Sequence, residues 1–217
     1  MSILLFFDTE TTGKADFKKA SVDPAQPNLV QLGAILVDGE TRRELMTVDV
    51  IVKPDDWTIP VEAANVHGIP QELAERVGIL HSNAVYTFRD LLFVADTVVA
   101  HNIQYDELVM DRACAVTDLA AGEPSFTYPF GSKHRLVCTM REATDIAKVP
   151  SRRPMHRQDY KWPSLAECSE RFFGKGIEGA HNALVDVRVC KDIYFYLADQ
   201  GVITERSGRR AKNLYDA

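Results

Sequence analysis

The chain is poor in cysteine, with four in 217 residues. Cys114, Cys138, Cys168 and Cys190 lie more than twenty positions apart, so no zinc-knuckle spacing exists. A chain of this length can bury a core without disulfide staples, and four spaced thiols suit a reducing, cytoplasmic compartment. No apolar run is long enough for a membrane span. Met1 to Phe7 is apolar but lacks a basic flank, and Asp8 ends the run. That excludes a signal peptide and favours a buried strand. Basic excess is also missing: 25 Lys and Arg against 31 Asp and Glu give a net charge of −6. Broad electrostatic adhesion to nucleic acid is thereby disfavoured. A protein that holds a few nucleotides through metal ions remains compatible, and carboxylates gathered as ligands would themselves make the charge negative. Neither internal repeats nor low-complexity segments occur.

What is present reads as one α/β domain over residues 1–217, with a core from about 3 to 198. Residues 3–8 read as a buried strand, and 29–37 as a second. Asp38-Gly39 predicts a tight hairpin into a third strand over 44–52. Short helices are expected at 60–66 and 71–77, and a longer one at 82–93. A fourth strand follows at 97–100, then helical spacing from 102 to 116. Residues 121–163 are irregular and basic, with a fifth strand at 136–138 and a helix after it. Ser164 caps a helix to 173, and 183–197 reads as the last long helix. The tail 204–217 is expected to be frayed, its basic residues merely solubilising. An antiparallel hairpin joined to later βα units gives a mixed, five-stranded sheet with one antiparallel strand and helices on its faces.

Three short motifs carry the chemistry. In Phe6-Phe7-Asp8-Thr9-Glu10-Thr11-Thr12-Gly13, two acids stand two positions apart at the end of a buried strand. In extended chain they face the same side and can share a metal ion. In His101-Asn102-Ile103-Gln104-Tyr105-Asp106, the acid falls in the first turns of a helix that follows a strand. Alone it reads as an ordinary acid favoured by the helix dipole. His181-Asn182-Ala183-Leu184-Val185-Asp186 repeats that arrangement. His181 lies five residues before Asp186, about 140° around an ideal helix, so it belongs on the approach loop. Four hard oxygen ligands suit Mg²⁺ or Mn²⁺ rather than zinc. Two such ions can stabilise the attacking and leaving oxygens of an in-line phosphoryl displacement. A histidine titrating near neutrality can activate the water.

In this order and at these separations, the motifs resemble the DEDD exonuclease superfamily of the ribonuclease H-like fold. The spacing of His181 and Asp186 is similar to its DEDDh branch, and the wording to the DnaQ group. The resemblance covers about residues 3–198, and Val66-His67-Gly68-Ile69 matches a loop common there. It implies that Asp8, Glu10, Asp106 and Asp186 bind two metal ions and that His181 is the general base. It implies that Thr9, Thr11 and Thr12 hold the terminal nucleotide, and that Val66, His67, Asn102 and Tyr105 line its pocket. Several members carry Leu or Phe after the motif glycine; here Lys14 offers a phosphate contact instead of stacking.

The implied activity is 3′→5′ removal of nucleoside 5′-monophosphates from single-stranded or frayed ends, with DNA favoured and RNA the alternative. A proofreading subunit, a replication or repair partner, a homodimer and a non-catalytic nucleic-acid-binding subunit are further readings. The roughly twenty residues after Leu197 favour a free-standing or phage-type enzyme. Finally, Lys148 to Trp162 mixes Lys148, Arg152, Arg153, Arg157 and Lys161 with His156, Tyr160 and Trp162. Such a mixture suits single-stranded nucleic acid, unless Trp162 is packed into the core.

Overall fold

A run of apolar residues that does not alternate with polar ones must be buried on both faces if it forms a strand. That is the situation of β1 (Ile3–Thr11). Leu5 and Phe7 enter one hydrophobic cluster, while Leu4 and Phe6 enter another on the opposite face. The computed structural model describes residues 2–122, 130, 134–151 and 160–210. Its first two strands continue with β2 (Leu29–Asp38), buried throughout, and the more exposed β3 (Glu44–Ile51) at the sheet edge. Then come α1 (Val61–His67), α2 (Gln71–Val77), α3 (His81–Val94), β4 (Thr97–Ala100) and α4 (Ile103–Ala120). The order closes with β5 (Arg135–Cys138), α5 (Thr139–Ala147), α6 (Leu165–Phe173), α7 (Ala183–Asp199) and β6 (Arg209–Arg210).

The sheet order is β3-β2-β1-β4-β5-β6. β1 pairs antiparallel with β2 and parallel with β4, and β4 pairs parallel with β5. One face is covered by α3 and α4, through Val85, Phe88, Val109 and Met110 among others. The other is covered mainly by α7, through Val187, Cys190, Ile193 and Leu197, with Ala143 of α5 and Cys168 of α6. β1 is thus the central strand between two helical layers, and its carboxyl end opens between the first turns of α4 and α7.

The mixed sheet expected from sequence is present, with two corrections. It has six strands, not five, and two of them, β2 and β6, run antiparallel to their neighbours rather than one. The sixth comes from the tail read as frayed: Arg209 and Arg210 pair with Leu136 and Arg135. Arg135 donates to the carbonyls of Thr204 and Ser207, and Arg209 pairs with Glu107, so these basic residues are structural to position 210. Positions 211–217 fall outside the described residues. The second correction is the turn at Asp38-Gly39. The chain does not reverse over two residues. Asp38 Oδ1 instead accepts the amides of Glu40 and Thr41, and Arg42 takes a left-handed φ of 60° before β3 begins. An Asp side chain that captures following amides favours a longer turn over a two-residue one. The capping of α6 follows expectation: Ser164 and Glu167 form a reciprocal capping box. Among the described residues, no helix is long and apolar enough to cross a membrane.

Candidate active site

Alternation along β1 divides its motif between the two helical layers. Leu4 and Phe6 face α7, so Asp8 and Glu10 project to that side. Leu5 and Phe7 face α3 and α4, so Thr9 and Thr11 project to the other. The hydrogen bonds agree. Thr9 donates both its amide (3.0 Å) and its hydroxyl (2.8 Å) to Asp106 Oδ1. The Thr11 hydroxyl lies 2.6 Å from the Tyr105 hydroxyl, and both meet the Gly13 carbonyl at 2.7 Å. Asp106 and Tyr105 stand in the first turn of α4, whose entry residue Asn102 is in the left-handed region at φ 70°. Asn102 makes no side-chain cap.

The third acid-bearing element arrives from the opposite layer. Asn182 caps α7, accepting from the Val185 amide. His181 precedes the cap at φ 65°, exposed, off the helix as its spacing predicted. Its amide donates to Asp186 Oδ2 at 3.2 Å. Candidate ligand atoms of Glu10, His181 and Asp186 all lie within 4.8 Å of one another.

Two residues that sequence reasoning passed over place this helix. Gly33 is paired with Asp8 across the β1–β2 ladder. A Cβ on Gly33 would meet the Ala183 carbonyl carbon at 2.5 Å and the Leu184 nitrogen at 2.6 Å. Two positions earlier, the buried Gln31 accepts the Ala183 amide at 3.1 Å while donating to Asp49 at 2.7 Å. A glycine inside an otherwise bulky strand was the available signal, because it marks a close backbone approach.

The electrostatics identify the four carboxyls as one cluster. Asp8 is held well above the usual carboxylate range, by burial first and then by Asp106, Asp186 and Glu10. Glu10 is pushed up to about 8 by burial and by the charges of Asp186 and Asp106. Burial lifts Asp106 to about 7, against the lowering effect of the Thr9 hydrogen bonds. Burial also raises Asp186, opposed by the His181 amide. Like charges crowded in a poorly solvated space disfavour one another's ionisation. Asp186 Oδ1 is fully buried and has no hydrogen-bond partner. A bound cation would satisfy that orphaned acceptor and relieve the repulsion, so this donor set fits a hard divalent metal.

The remaining positions differ in what they offer. Thr9 is buried and its hydroxyl is committed to Asp106. Thr12 accepts from the Asn28 amide, and its own amide donates back to the Asn28 carbonyl, which ties down the turn. His67 is buried near Thr11 and His181; its Nδ1 accepts from Ile69 and its Nε2 has no partner. Burial, then the proximity of His181, lowers its pKa. Val66 and Lys14 are exposed. Burial raises the Tyr105 phenol to about 12, so it stays a neutral hydrogen-bonding group. His101, at the start of the second motif, links Thr139 and the Pro163 carbonyl, each at 3.0 Å. Burial lowers it to about 4, which suits a neutral structural imidazole.

The profile of the RNase T family, described as exonuclease, matches residues 5–194. The chain belongs to this exonuclease family. Solved structures agree on the fold. Exonuclease I matches with a TM-score of 0.69 at 19% identity. Escherichia coli exonuclease I in complex with a dA16 oligonucleotide gives 0.67 at 19%. A moderately thermophilic exonuclease I from Methylocaldum szegediense gives 0.65 at 19%. Each of these matches covers 92% of this chain and 41% of the other, so this chain spans about two fifths of their length. No curated protein matches it significantly.

Proposed function

We propose that this exonuclease is a metal-dependent 3′→5′ enzyme that releases nucleoside 5′-monophosphates from single-stranded DNA ends. The observation that carries the reading is the partly buried cluster of Asp8, Glu10, Asp106 and Asp186, with an unpartnered Asp186 Oδ1 and His181 beside it. Asp8, Glu10, Asp106 and Asp186 would hold the metal ions, with Mg²⁺ or Mn²⁺ suited to an all-oxygen set. When bound, such ions supply charge stabilisation to the oxygens of an in-line phosphoryl displacement.

The protein's own residues do the rest. His181 stands exposed at the mouth of the cluster, where its imidazole can take a proton from the attacking water. The His181 amide fixes Asp186 Oδ2, and Thr9 fixes Asp106, so two of the four acids are oriented before substrate arrives. Thr11, Tyr105 and Gly13, tied together by hydrogen bonds, would line one side of the pocket for the terminal nucleotide. Asn102 and His67, whose Nε2 has no partner, would contribute polar contacts to its sugar and base.

Preference for DNA rests on likeness: E. coli exonuclease I has been solved with dA16 and dT13 oligonucleotides, and its single-stranded DNA complex in a zinc-bound form. A single catalytic domain across the chain and a cytoplasmic site of action belong to the same proposal.

Matched digestion of 3′-labelled and 5′-labelled single-stranded DNA and RNA tests the reading. Immediate release of 3′ label as a mononucleotide from DNA, dependent on Mg²⁺ or Mn²⁺, is the expected result. Release of 5′ label first overturns the polarity, and faster decay of RNA assigns the enzyme to RNA.

A further inference from the structure

Resting on that reading, we infer that Trp162 and Arg141 form a stacking platform for the strand upstream of the scissile nucleotide. Trp162 is not core: 55% of it is exposed. A large aromatic side chain left in water on a chain with ample apolar interior is an invitation to a ligand with a flat apolar face. Its backbone is nevertheless fixed. The Lys161 amide donates to the Val149 carbonyl at 3.0 Å, and the Pro163 carbonyl is held by His101 at 3.0 Å. The Lys161 ammonium pairs with Glu167 at 2.7 Å. An exposed ring on a pinned backbone loses little entropy when a base stacks on it.

Arg141 supplies the charge. Its guanidinium carbon lies 5.3 Å from the Trp162 ring centroid. One guanidinium nitrogen donates to the Gln104 side-chain carbonyl at 3.0 Å. Among the described residues Arg141 has no carboxylate partner, and it is exposed. In a chain of net charge −6, a cation beside an exposed indole, with no carboxylate partner among the described residues, is matched to a phosphate and its base.

The location joins this pair to the catalytic cluster. Gln104 belongs to the first turn of α4, which also carries Tyr105 and Asp106. His101, which grips the Pro163 carbonyl, directly follows β4, the parallel strand beside β1. The platform therefore borders the rim of the site from the side of β4 and α5. A strand whose terminal nucleotide occupies the carboxylate cluster can lay an upstream base on the indole and its phosphate on Arg141.

Two measurements test this. The first is the advantage of dT8 over dT2, taken as the ratio of their KM values. W162A should reduce that ratio about tenfold, a magnitude ordinary for one base–aromatic stack, and W162F should restore most of it. A ratio equal to the wild-type value overturns the platform, as does a parallel rise on both substrates. The second uses the W57F variant, in which Trp162 is the one remaining tryptophan. Its emission should be quenched by dT8 and recover in R141A. No quenching at saturating dT8 also overturns the platform. A wild-type protein that cuts neither substrate instead refutes the exonuclease reading on which the platform rests, so the two failures are separable.

Discussion

The backbone of Ala183 occupies the space that a side chain on Gly33 would need. A Cβ there would stand 2.5 Å from the Ala183 carbonyl carbon, which no relaxed structure tolerates. Because Gly33 is the ladder partner of Asp8, this contact sets how closely the start of α7, and with it His181 and Asp186, approaches the strand acids. The substitution G33A forces the helix start away from β2. Overpacking of this kind costs about 1–3 kcal/mol. Activity should fall further than stability, since misplacing catalytic groups by ~1 Å costs about 10²-fold. Thermal melting together with kcat on single-stranded DNA checks it; a G33A enzyme with wild-type kcat would mean that α7 is positioned by other contacts.

The removal of metal should make stability depend on pH in a definite direction. Asp8, Glu10, Asp106 and Asp186 all have raised pKa values, with Asp106 at about 7 and Glu10 at about 8, well above the ordinary carboxylate range. The folded chain therefore binds more protons than the unfolded chain between about pH 4 and pH 8. Stability is greatest below that window and is lost as pH rises through it. In EDTA the melting temperature should decline from pH 5 to pH 8, and saturating Mg²⁺ or Mn²⁺ should remove most of the decline. The double variant D8N/E10Q should show a shallower slope without metal, since Asp106 and Asp186 remain raised by burial. A slope identical in EDTA and in Mg²⁺ would place metal binding outside this cluster.

His181 presents a separate test, because its backbone conformation and its imidazole can be separated. At φ 65° most side chains are strained, but asparagine tolerates the left-handed region. H181N should therefore keep the wild-type melting temperature while slowing kcat by about 10²–10⁴-fold, the usual contribution of a general base. The Asp186 contact uses the His181 amide rather than the ring, so it survives the change. A kcat within twofold of wild type at all pH values excludes His181 as the base.

Much of the site was readable because its signals are local. Asp8 and Glu10 could be placed on one side of a strand from their spacing, and His181 could be moved off the helix from its five-residue offset. Asp106 and Asp186 looked individually like ordinary helix-start acids; burial and mutual charge, which depend on tertiary approach, distinguish them. The roles of Gly33 and Gln31 are long-range facts about how α7 crosses β2, and no periodicity encodes them. The sixth strand was illegible for a related reason. Arg209 and Arg210 carry no apolar alternation, and they join the sheet through Arg135 and a left-handed Gly208 whose Cβ would clash with the Leu136 carbonyl. Trp162 was open between a core and a nucleic-acid role, and its exposure removes the core reading. The neighbouring Arg152, Arg153, His156 and Arg157 lie outside the described residues.

Thr9 illustrates how the same alternation yields a prediction that its motif wording does not. Sequence resemblance assigns Thr9 to the nucleotide, yet its side chain faces α4 and its hydroxyl is spent on Asp106 at 2.8 Å. That bond favours the ionised carboxylate and holds the Asp106 pKa below the value burial would impose. T9V keeps the amide contact but deletes the hydroxyl, leaving a buried carboxylate with one donor fewer. Loss of a hydrogen bond to a charged group costs about 1.5–3 kcal/mol. Asp106 should then ionise at higher pH, so the acidic limb of the kcat profile should move towards alkaline pH and more Mg²⁺ should be needed for half-maximal rate. T9S retains the hydroxyl and should stay close to wild type in both respects. If Thr9 instead contacts the nucleotide, T9V should raise KM for the oligonucleotide while leaving the pH profile and the Mg²⁺ requirement where they were.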